Sequence, residues 1–364
     1  MYKFMGGLIM NKRLDLFKEQ FDTLGIDGAL VYSDSNRNYL SGFTGNESFA
    51  LITKEKAYFI TDSRFTEQAQ NQVKGFVVQQ YKNSIHDFIK NLVRENNIKK
   101  LGIEEDYMNV LDYDTYKEKL PDVEFVKLNH AIEDLRKVKD ATEIEKISSA
   151  AAIADKAFSH MLTFIKPGMK ESEVGLELEF YMRKLGAACL SFPSIIASGT
   201  RSSLPHGQAT DKILENGDFF TLDFGCVYEG YCSDMTRTVV IGKATEKQKE
   251  IYSIVLKANE EAMKGIKPGS ICSAVDKIAR DVIADNGYGD RFGHGLGHGV
   301  GMQIHEWPRL SPKDNSKLAA GMVVTDEPGI YIPGFGGVRI EDLVAVTADG
   351  HKVLSKSPKQ LIEL

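Results

Sequence analysis

The second half of the chain repeats itself. Lys166-Pro167-Gly168 ends one helical pattern and opens another, and Lys267-Pro268-Gly269 does the same about 100 residues later. After the first turn comes an apolar, β-rich pair of runs from Phe219 to Ile241, and after the second a matching pair from Val323 to Val346. A His-Gly precedes each pair, at His206 and at His294, and Asp223 and Asp234 correspond to Glu327 and Glu341. Lys-Pro-Gly alone is ordinary turn chemistry, because proline presets φ and glycine accepts a left-handed conformation. The ordered set is not ordinary. It predicts two fused half-domains that face each other and bring four carboxylates to one interface.

Strand parity tests whether those groups can converge, since alternate residues share a face. Thr221 shares a face with Asp223, Asp234 with Thr236, Thr325 with Glu327, and Arg339 with Glu341. Each acid lies in or at the end of an apolar run, where an unpaired buried carboxylate is costly. Four of them together also repel one another and raise some of their pKa values. Divalent cations relieve both costs: two M²⁺ ions neutralise four carboxylates and leave the imidazole of His298 as a neutral ligand. That is too much acid for a single zinc of three or four ligands and too much nitrogen for a pure Mg²⁺ or Ca²⁺ site. Mn²⁺, Co²⁺, Fe²⁺ or Zn²⁺ fits a mixed carboxylate–histidine pair of sites. Cys226 and Cys232 lie between the two aspartates as either soft ligands or small core residues, and the core reading is the better one.

His298 belongs to the run Gly293-His294-Gly295-Leu296-Gly297-His298-Gly299-Val300-Gly301, with His305 shortly after it. Five glycines in nine positions rule out an ordinary helix, each costing about 1 kcal/mol against alanine. Glycine here lets the backbone pass close to something compact, either a metal centre or a tightly packed turn with incidental histidines. Trp307 follows, as a pocket wall or a core residue.

A chain of 364 residues exceeds the usual limit of one core, so two domains are expected. Its 42% hydrophobic and 26% charged residues are those of a globular protein, and a net charge of −6 without a basic block speaks against nucleic acid as a partner. Four cysteines are too few for a disulfide framework and fit a reducing, cytoplasmic setting. No apolar run reaches the roughly 20 residues of a membrane span. The first nine residues resemble no signal peptide and are set aside, with Met10 a candidate start.

From Asn11 a helical pattern runs to Leu24 and stops at Gly25. Ala29–Tyr32, Ser48–Thr53, Ala57–Thr61, Phe76–Tyr81, Leu101–Glu104 and Val123–Leu128 read as strands and Ser84–Asn96 as a helix, an α/β domain with a parallel or mixed sheet. Asn36–Phe43 and Asp62–Phe65 read as polar clusters at strand ends, with ordinary loop and cap chemistry. No phosphate-binding glycine motif is present. The charged stretch Leu135–Asp140 marks the boundary, and a long helix follows from Ala141 to about Ile165.

The ordered set LDFG…GYCSDMTRT, GHGLGHGVG…IHE, DEPGIYIP and GVRIED resembles the pita-bread metallopeptidases. Among them it is similar to aminopeptidase P and prolidase, which cleave the bond before proline. The match runs from Val138 to Leu364, and DGALVYSDSNRNYLSGFTG is similar to the creatinase-type N-terminal domain. The resemblance implies a creatinase-like α/β domain over 11–137 and an α+β pita-bread catalytic domain with an internal pseudo-two-fold duplication over 138–364. It implies that Asp223, Asp234, His298, Glu327 and Glu341 hold two divalent metal ions, manganese before cobalt, zinc or iron, with Asp234 and Glu341 bridging. A metal-bridging hydroxide would attack a proline-containing peptide substrate, and Glu327 would carry the proton. His206, His294 and His305 fall at the family's active-site histidines and Arg339 at its arginine two residues before the last ligand, orienting Glu341 or binding a substrate carboxylate. A homodimer, with the first domain bordering the neighbour's site, is also implied. Methionine aminopeptidases share the catalytic fold but usually lack the first domain, and creatinases lack the metal set. A methionine aminopeptidase and a non-catalytic peptide-binding pita-bread module are the alternatives.

Overall fold

A computed structural model describes residues 12–364, so the segment 1–9 and a start at Met10 lie outside the described residues. The chain divides into two compact units, the first ending at Arg136 and the second running from Lys137 to Leu364. No helix among the described residues is long and apolar enough to cross a membrane.

Among the described residues of the first unit six strands build one sheet. They are β1 (Gly28–Val31), β2 (Phe49–Thr53), β3 (Ala57–Thr61), β4 (Val77–Gln80), β5 (Lys100–Ile103) and β6 (Glu124–Lys127), in the order β4-β3-β2-β1-β5-β6. β1–β2 and β2–β3 run antiparallel, whereas β3–β4, β1–β5 and β5–β6 are parallel, so the sheet is mixed. A short turn joins β2 to β3, whereas the helix Asp34–Ser41 lies between β1 and β2. The helix expected over Ser84–Asn96 forms as Ile85–Glu95; the Ser84 hydroxyl accepts from Asp87 N, and Ile89, Leu92 and Val93 form its buried face.

Two local expectations fail. The helix expected from Asn11 to Leu24 is interrupted at residues 19–20, with a helical turn Phe21–Leu24 closing on Gly25 at φ 66°. The polar cluster at Asn36–Phe43 is mostly a helix, Asp34–Ser41, capped by Ser33 and ended by Gly42. Its polar composition hid it. Asn36 and Arg37 are buried because Glu104, Glu133, Arg136 and backbone carbonyls occupy their hydrogen-bonding groups.

The second unit runs helix, Lys-Pro-Gly turn, helix and strands, twice. The first half has α1 (Ala141–Phe164), α2 (Glu171–Lys184), β7 (Cys189–Leu190), β8 (Ile195–Ser198), β9 (Phe219–Phe224), β10 (Cys226–Tyr228), β11 (Tyr231–Cys232) and β12 (Met235–Val240). The second has α3 (Glu246–Gly265), α4 (Cys272–Asp285), β13 (Gly297–Gly299), β14 (Glu306–Leu310), β15 (Val323–Asp326), β16 (Gly329–Ile332), β17 (Gly336–Arg339), β18 (Asp342–Val346) and β19 (His351–Val353). Asp140 and Glu143 form a capping box at the start of α1, satisfying the orphan amides of its first turn. Its buried stripe, Ile147, Ala150, Ala151, Ala154, Phe158 and Met161, has helical spacing. Each helix pair covers a separate apolar core, one around Phe158, Leu178 and Phe224, the other around Val255, Val275 and Val324.

The two halves join along β12. Glu341 N donates to Thr236 O at 3.1 Å, and Thr238 Oγ1 exchanges hydrogen bonds with the backbone of Arg339. Both strand pairs are interrupted, the first at Gly225 and at Ser233-Asp234. Glu327-Pro328 separates β15 from β16, and Ile340-Glu341 separates β17 from β18. Pro328 has no N–H to continue the ladder. Strand parity therefore holds through Asp223 but not through Asp234, Glu327 and Glu341, which sit on the breaks.

Candidate active site

Nine side chains singled out in the sequence line one cavity of about 750 Å³: His206, Asp223, Asp234, His294, His298, His305, Glu327, Arg339 and Glu341. Asp223 lies near the end of β9, directly opposite Thr236 on β12, and Asp234 immediately precedes β12. Oxygen and nitrogen atoms of Asp234, His298 and Glu341 lie within 4.8 Å of one another. His298 Nε2 is 3.5 Å from Asp234 Oδ2 and 3.3 Å from Glu327 Oε1.

The His298 ring is set by its second nitrogen. Nδ1 is 3.1 Å from Gly299 O, an acceptor only, so it carries the proton and leaves the Nε2 lone pair facing the carboxylates. Its backbone is held as well: His298 N donates to Thr325 Oγ1, which donates to Glu327 Oε1, both at 3.0 Å. Gly297 permits this approach, since a Cβ there would collide with the carbonyl of Thr325. Gly295, Gly297 and Gly299 thus accommodate the protein's own neighbouring backbone, a nearer cause than a metal centre.

The electrostatics call for cations. Asp223 Oδ1, Asp234 Oδ1 and Glu341 Oε1 are buried without a hydrogen-bond partner. Burial first, then the neighbouring carboxylates, pushes Asp234 and Glu341 well above the usual carboxylate range. Burial also raises Asp223, against the pull of Arg339. Glu327 goes the other way: burial is outweighed by His298 and His294, when these imidazoles are protonated, and by Arg339, which together bring it down to about 2. A histidine lone pair facing buried acids with unused oxygens is a donor set that fits divalent metal.

Around these groups runs a chain of hydrogen bonds. Arg339 donates to Asp223 Oδ2 at 2.5 Å, to Tyr331 Oη at 2.8 Å and to Thr236 Oγ1 at 3.0 Å. Thr236 Oγ1 in turn donates to Glu341 Oε2 at 2.7 Å. Tyr331 Oη donates to His294 Nε2 at 2.8 Å, while His294 Nδ1 donates to Gly295 O at 2.8 Å. Both nitrogens of His294 are therefore taken by the protein. The guanidinium of Arg339 is engaged as well, and it orients Asp223 directly and Glu341 through Thr236. His305 sets its ring edge-on to His298, centroids 4.5 Å apart. Partial burial, then His298 and Arg309, pushes its pKa down to about 4.

Residues 145–348 match Metallopeptidase family M24, and residues 13–138 match the Creatinase/Prolidase N-terminal domain. The chain belongs to metallopeptidase family M24. It is 43% identical to an Xaa-Pro dipeptidase of Pyrococcus horikoshii, over 97% of this chain and 99% of that one. It is also similar to the solved Xaa-Pro dipeptidase from Bacillus anthracis, with 48% identity, a TM-score of 0.96, and 98% of this chain and 100% of that one covered. The X-Pro aminopeptidase from Thermotoga maritima follows at 39% identity and a TM-score of 0.89, covering 95% of this chain and 100% of that one. The M24 catalytic region and the creatinase-type N-terminal region together account for the mixed α/β content expected of the fold.

Two residues of this M24 peptidase escaped the sequence reading. Tyr331, buried on β16, joins His294 to Arg339; its position four residues after Glu327 carries no local signal. Arg309, on β14 opposite His298, lines the cavity, and no hydrogen bond or ion pair reaches its guanidinium among the described residues. Only strand pairing brings it there. Cys226 and Cys232 are core residues: Cys226 Sγ lies 3.5 Å from Ala150 O and Cys232 Sγ 3.7 Å from Met302 O, and burial pushes the thiols up to about 11 and about 12. Trp307 is 46% exposed and lies outside the cavity lining, so it is neither core nor wall.

Proposed function

We propose that this M24 enzyme is an Xaa-Pro dipeptidase that uses two divalent ions. The observation that carries the reading is the cavity floor. There Asp223, Asp234, Glu341, Glu327 and His298 gather buried, partly unsatisfied donors beneath a wall of Phe192, Pro193, Ile195, Pro205 and Ile304. An apolar wall suits the pyrrolidine ring of proline, and the Xaa-Pro dipeptidase name borne by relatives supports the same substrate. The four carboxylates carry −4 and balance two M²⁺ ions, with Mn²⁺ preferred. Bound there, such ions lower the pKa of water toward neutrality and polarise a carbonyl oxygen.

The chain's own groups do the rest. Glu327 takes the proton of the attacking water and delivers it to the leaving proline nitrogen. That nitrogen belongs to a tertiary amide and must be protonated to depart. His206 and His305 donate to the oxyanion that develops on the scissile carbonyl, worth about 10²–10³ in rate for a well-placed donor. His294, with Tyr331 and Arg339, holds Asp223 in place. Arg309 offers its unpartnered guanidinium to the substrate's C-terminal carboxylate, the geometry arginine binds best. A homodimer in the cytoplasm completes the proposal, and four unpaired cysteines support that compartment.

Hydrolysis of Ala-Pro, Ala-Pro-amide, Ala-Pro-Ala and Met-Ala with Mn²⁺ tests this reading. Ala-Pro is expected to be cleaved best, and Arg309→Met to raise its KM about tenfold while leaving Ala-Pro-amide unchanged. Preferential cleavage of Met-Ala would overturn proline specificity, and equal or faster cleavage of Ala-Pro-Ala would make the enzyme an aminopeptidase.

A further inference from the structure

Two side chains of α4 reach the stretch of backbone that carries His294. Asp276 and Arg280 stand one helical turn apart and pair twice, Nε to Oδ2 and Nη2 to Oδ1, at 2.9 Å each. An exposed pair at that spacing stabilises its helix only slightly. This one is different, because Asp276 is 1% exposed and both partners bind a second segment. Arg280 Nη1 donates to Phe292 O at 2.9 Å and Nη2 to His294 O at 2.8 Å. Asp276 Oδ1 accepts from Leu296 N at 2.9 Å. The guanidinium also lies over the Phe292 ring, 4.4 Å from its centroid.

Phe292 to Leu296 links the helical turn Gly289–Arg291 to β13. Gly293 and Gly295 flank His294, so this backbone has little conformational preference of its own. Its path is set from outside, at alternate residues 292, 294 and 296, by the α4 pair; Leu296 O also accepts from Glu327 N at 2.8 Å. Gly293, His294 and Gly295 line the cavity. The His294 ring stands edge-on to Phe292, centroids 5.0 Å apart, and meets Tyr331 Oη through Nε2. Those ring contacts turn the imidazole, whereas the backbone beneath it is held by Arg280 and Asp276.

We infer that Asp276 and Arg280 are positioning residues for His294. The guanidinium fork holds the carbonyl of His294 and that of Phe292 two residues before it. The carboxylate holds the amide of Leu296 two residues after it. Together they set where the imidazole stands when it accepts from Tyr331. The inference rests on the proposed part of His294, with Tyr331 and Arg339, in holding Asp223.

Arg280→Lys separates this clamp from a helix ion pair. Lysine keeps a positive charge beside Asp276, but one ammonium cannot serve the carboxylate and both carbonyls as the planar guanidinium does. Tm and histidine-ring ¹⁵N spectra are measured on the metal-free protein, and bound metal with kcat and KM for Ala-Pro after Mn²⁺ loading. Arg280→Lys is expected to keep its Tm and to shift the ring resonances of His294, identified by their loss in His294→Ala. It is expected to lower kcat about tenfold, the scale of a small misplacement, with KM and metal content kept. In a His294→Ala background it is expected to lower kcat no further. Unmoved His294 resonances in Arg280→Lys, whatever its Tm, overturn the inference. So does a loss of kcat as large with His294→Ala as without it. Wild-type kinetics in His294→Ala alone would instead overturn the role of His294, and the resonances would still decide the positioning. If Arg280→Lys does not fold, Asp276→Asn, which leaves Arg280 one acceptor fewer, carries the same comparison.

Discussion

Arg339 Nη2 and Asp223 Oδ2 stand 2.5 Å apart, and both side chains are buried. The same guanidinium also holds Tyr331 and Thr236, so one planar donor organises three groups around the candidate metal centre. Lysine is a point charge and cannot serve all three. Arg339→Lys should fold and lose about 10² in kcat/KM. Arg339→Met leaves Asp223 unpaired and should cost about 3 kcal/mol in the metal-free protein, measured by urea unfolding after chelation. An Arg339→Lys enzyme with wild-type kinetics would remove the organising role.

Asp234 brings an unpartnered buried oxygen into the cluster with His298 and Glu341. Asp234→Asn should bind less metal by elemental analysis. Chelation should abolish activity of the parent protein and lower its Tm, since a ligand at a hundred times its Kd stabilises by about 2.7 kcal/mol. The Asn variant should show little Tm response to Mn²⁺. Full occupancy in Asp234→Asn would exclude the aspartate as a ligand.

Glu327 is the cavity carboxylate held lowest, down to about 2 by protonated His298 and His294 and by Arg339 against its burial. It is thus ionised at neutral pH. Glu327→Gln should lower kcat by about 10²–10⁴, the usual yield of general acid–base catalysis. Retention of both metals with near-normal turnover would sink the proton-carrying role.

In the first unit Glu104 is buried, and that burial outweighs the donors of Tyr32, Ser33 and Asn36 and raises its pKa from 4.5 to about 7. The folded state holds this proton more tightly than the unfolded chain. Its contribution is complete below pH 4.5 and is lost as pH rises through 7, up to about 3 kcal/mol in all. Glu104→Gln should flatten that slope. Urea midpoints of the two proteins between pH 4 and 8 decide it, and parallel slopes would refute the assignment.

Much of the frame is legible in the residues. The capping box before α1, the spacing of Ile89, Leu92 and Val93, and Gly25 as a stop are local signals with local causes. The helix Asp34–Ser41 was not legible, because its buried polar residues are paid for by partners far along the chain, Glu104, Glu133 and Arg136.

By itself the sequence determined the repeated order of elements and the presence of more acid than an apolar interior tolerates, since period and burial cost are properties of each segment. Tertiary structure decided which partner each group meets. Strand register sets Arg309 opposite His298, the join along β12 brings Glu341 to Thr236, and the glycine-rich stretch meets Asp276 through Leu296 N. Those pairings depend on distances across the fold, and no local pattern encodes them.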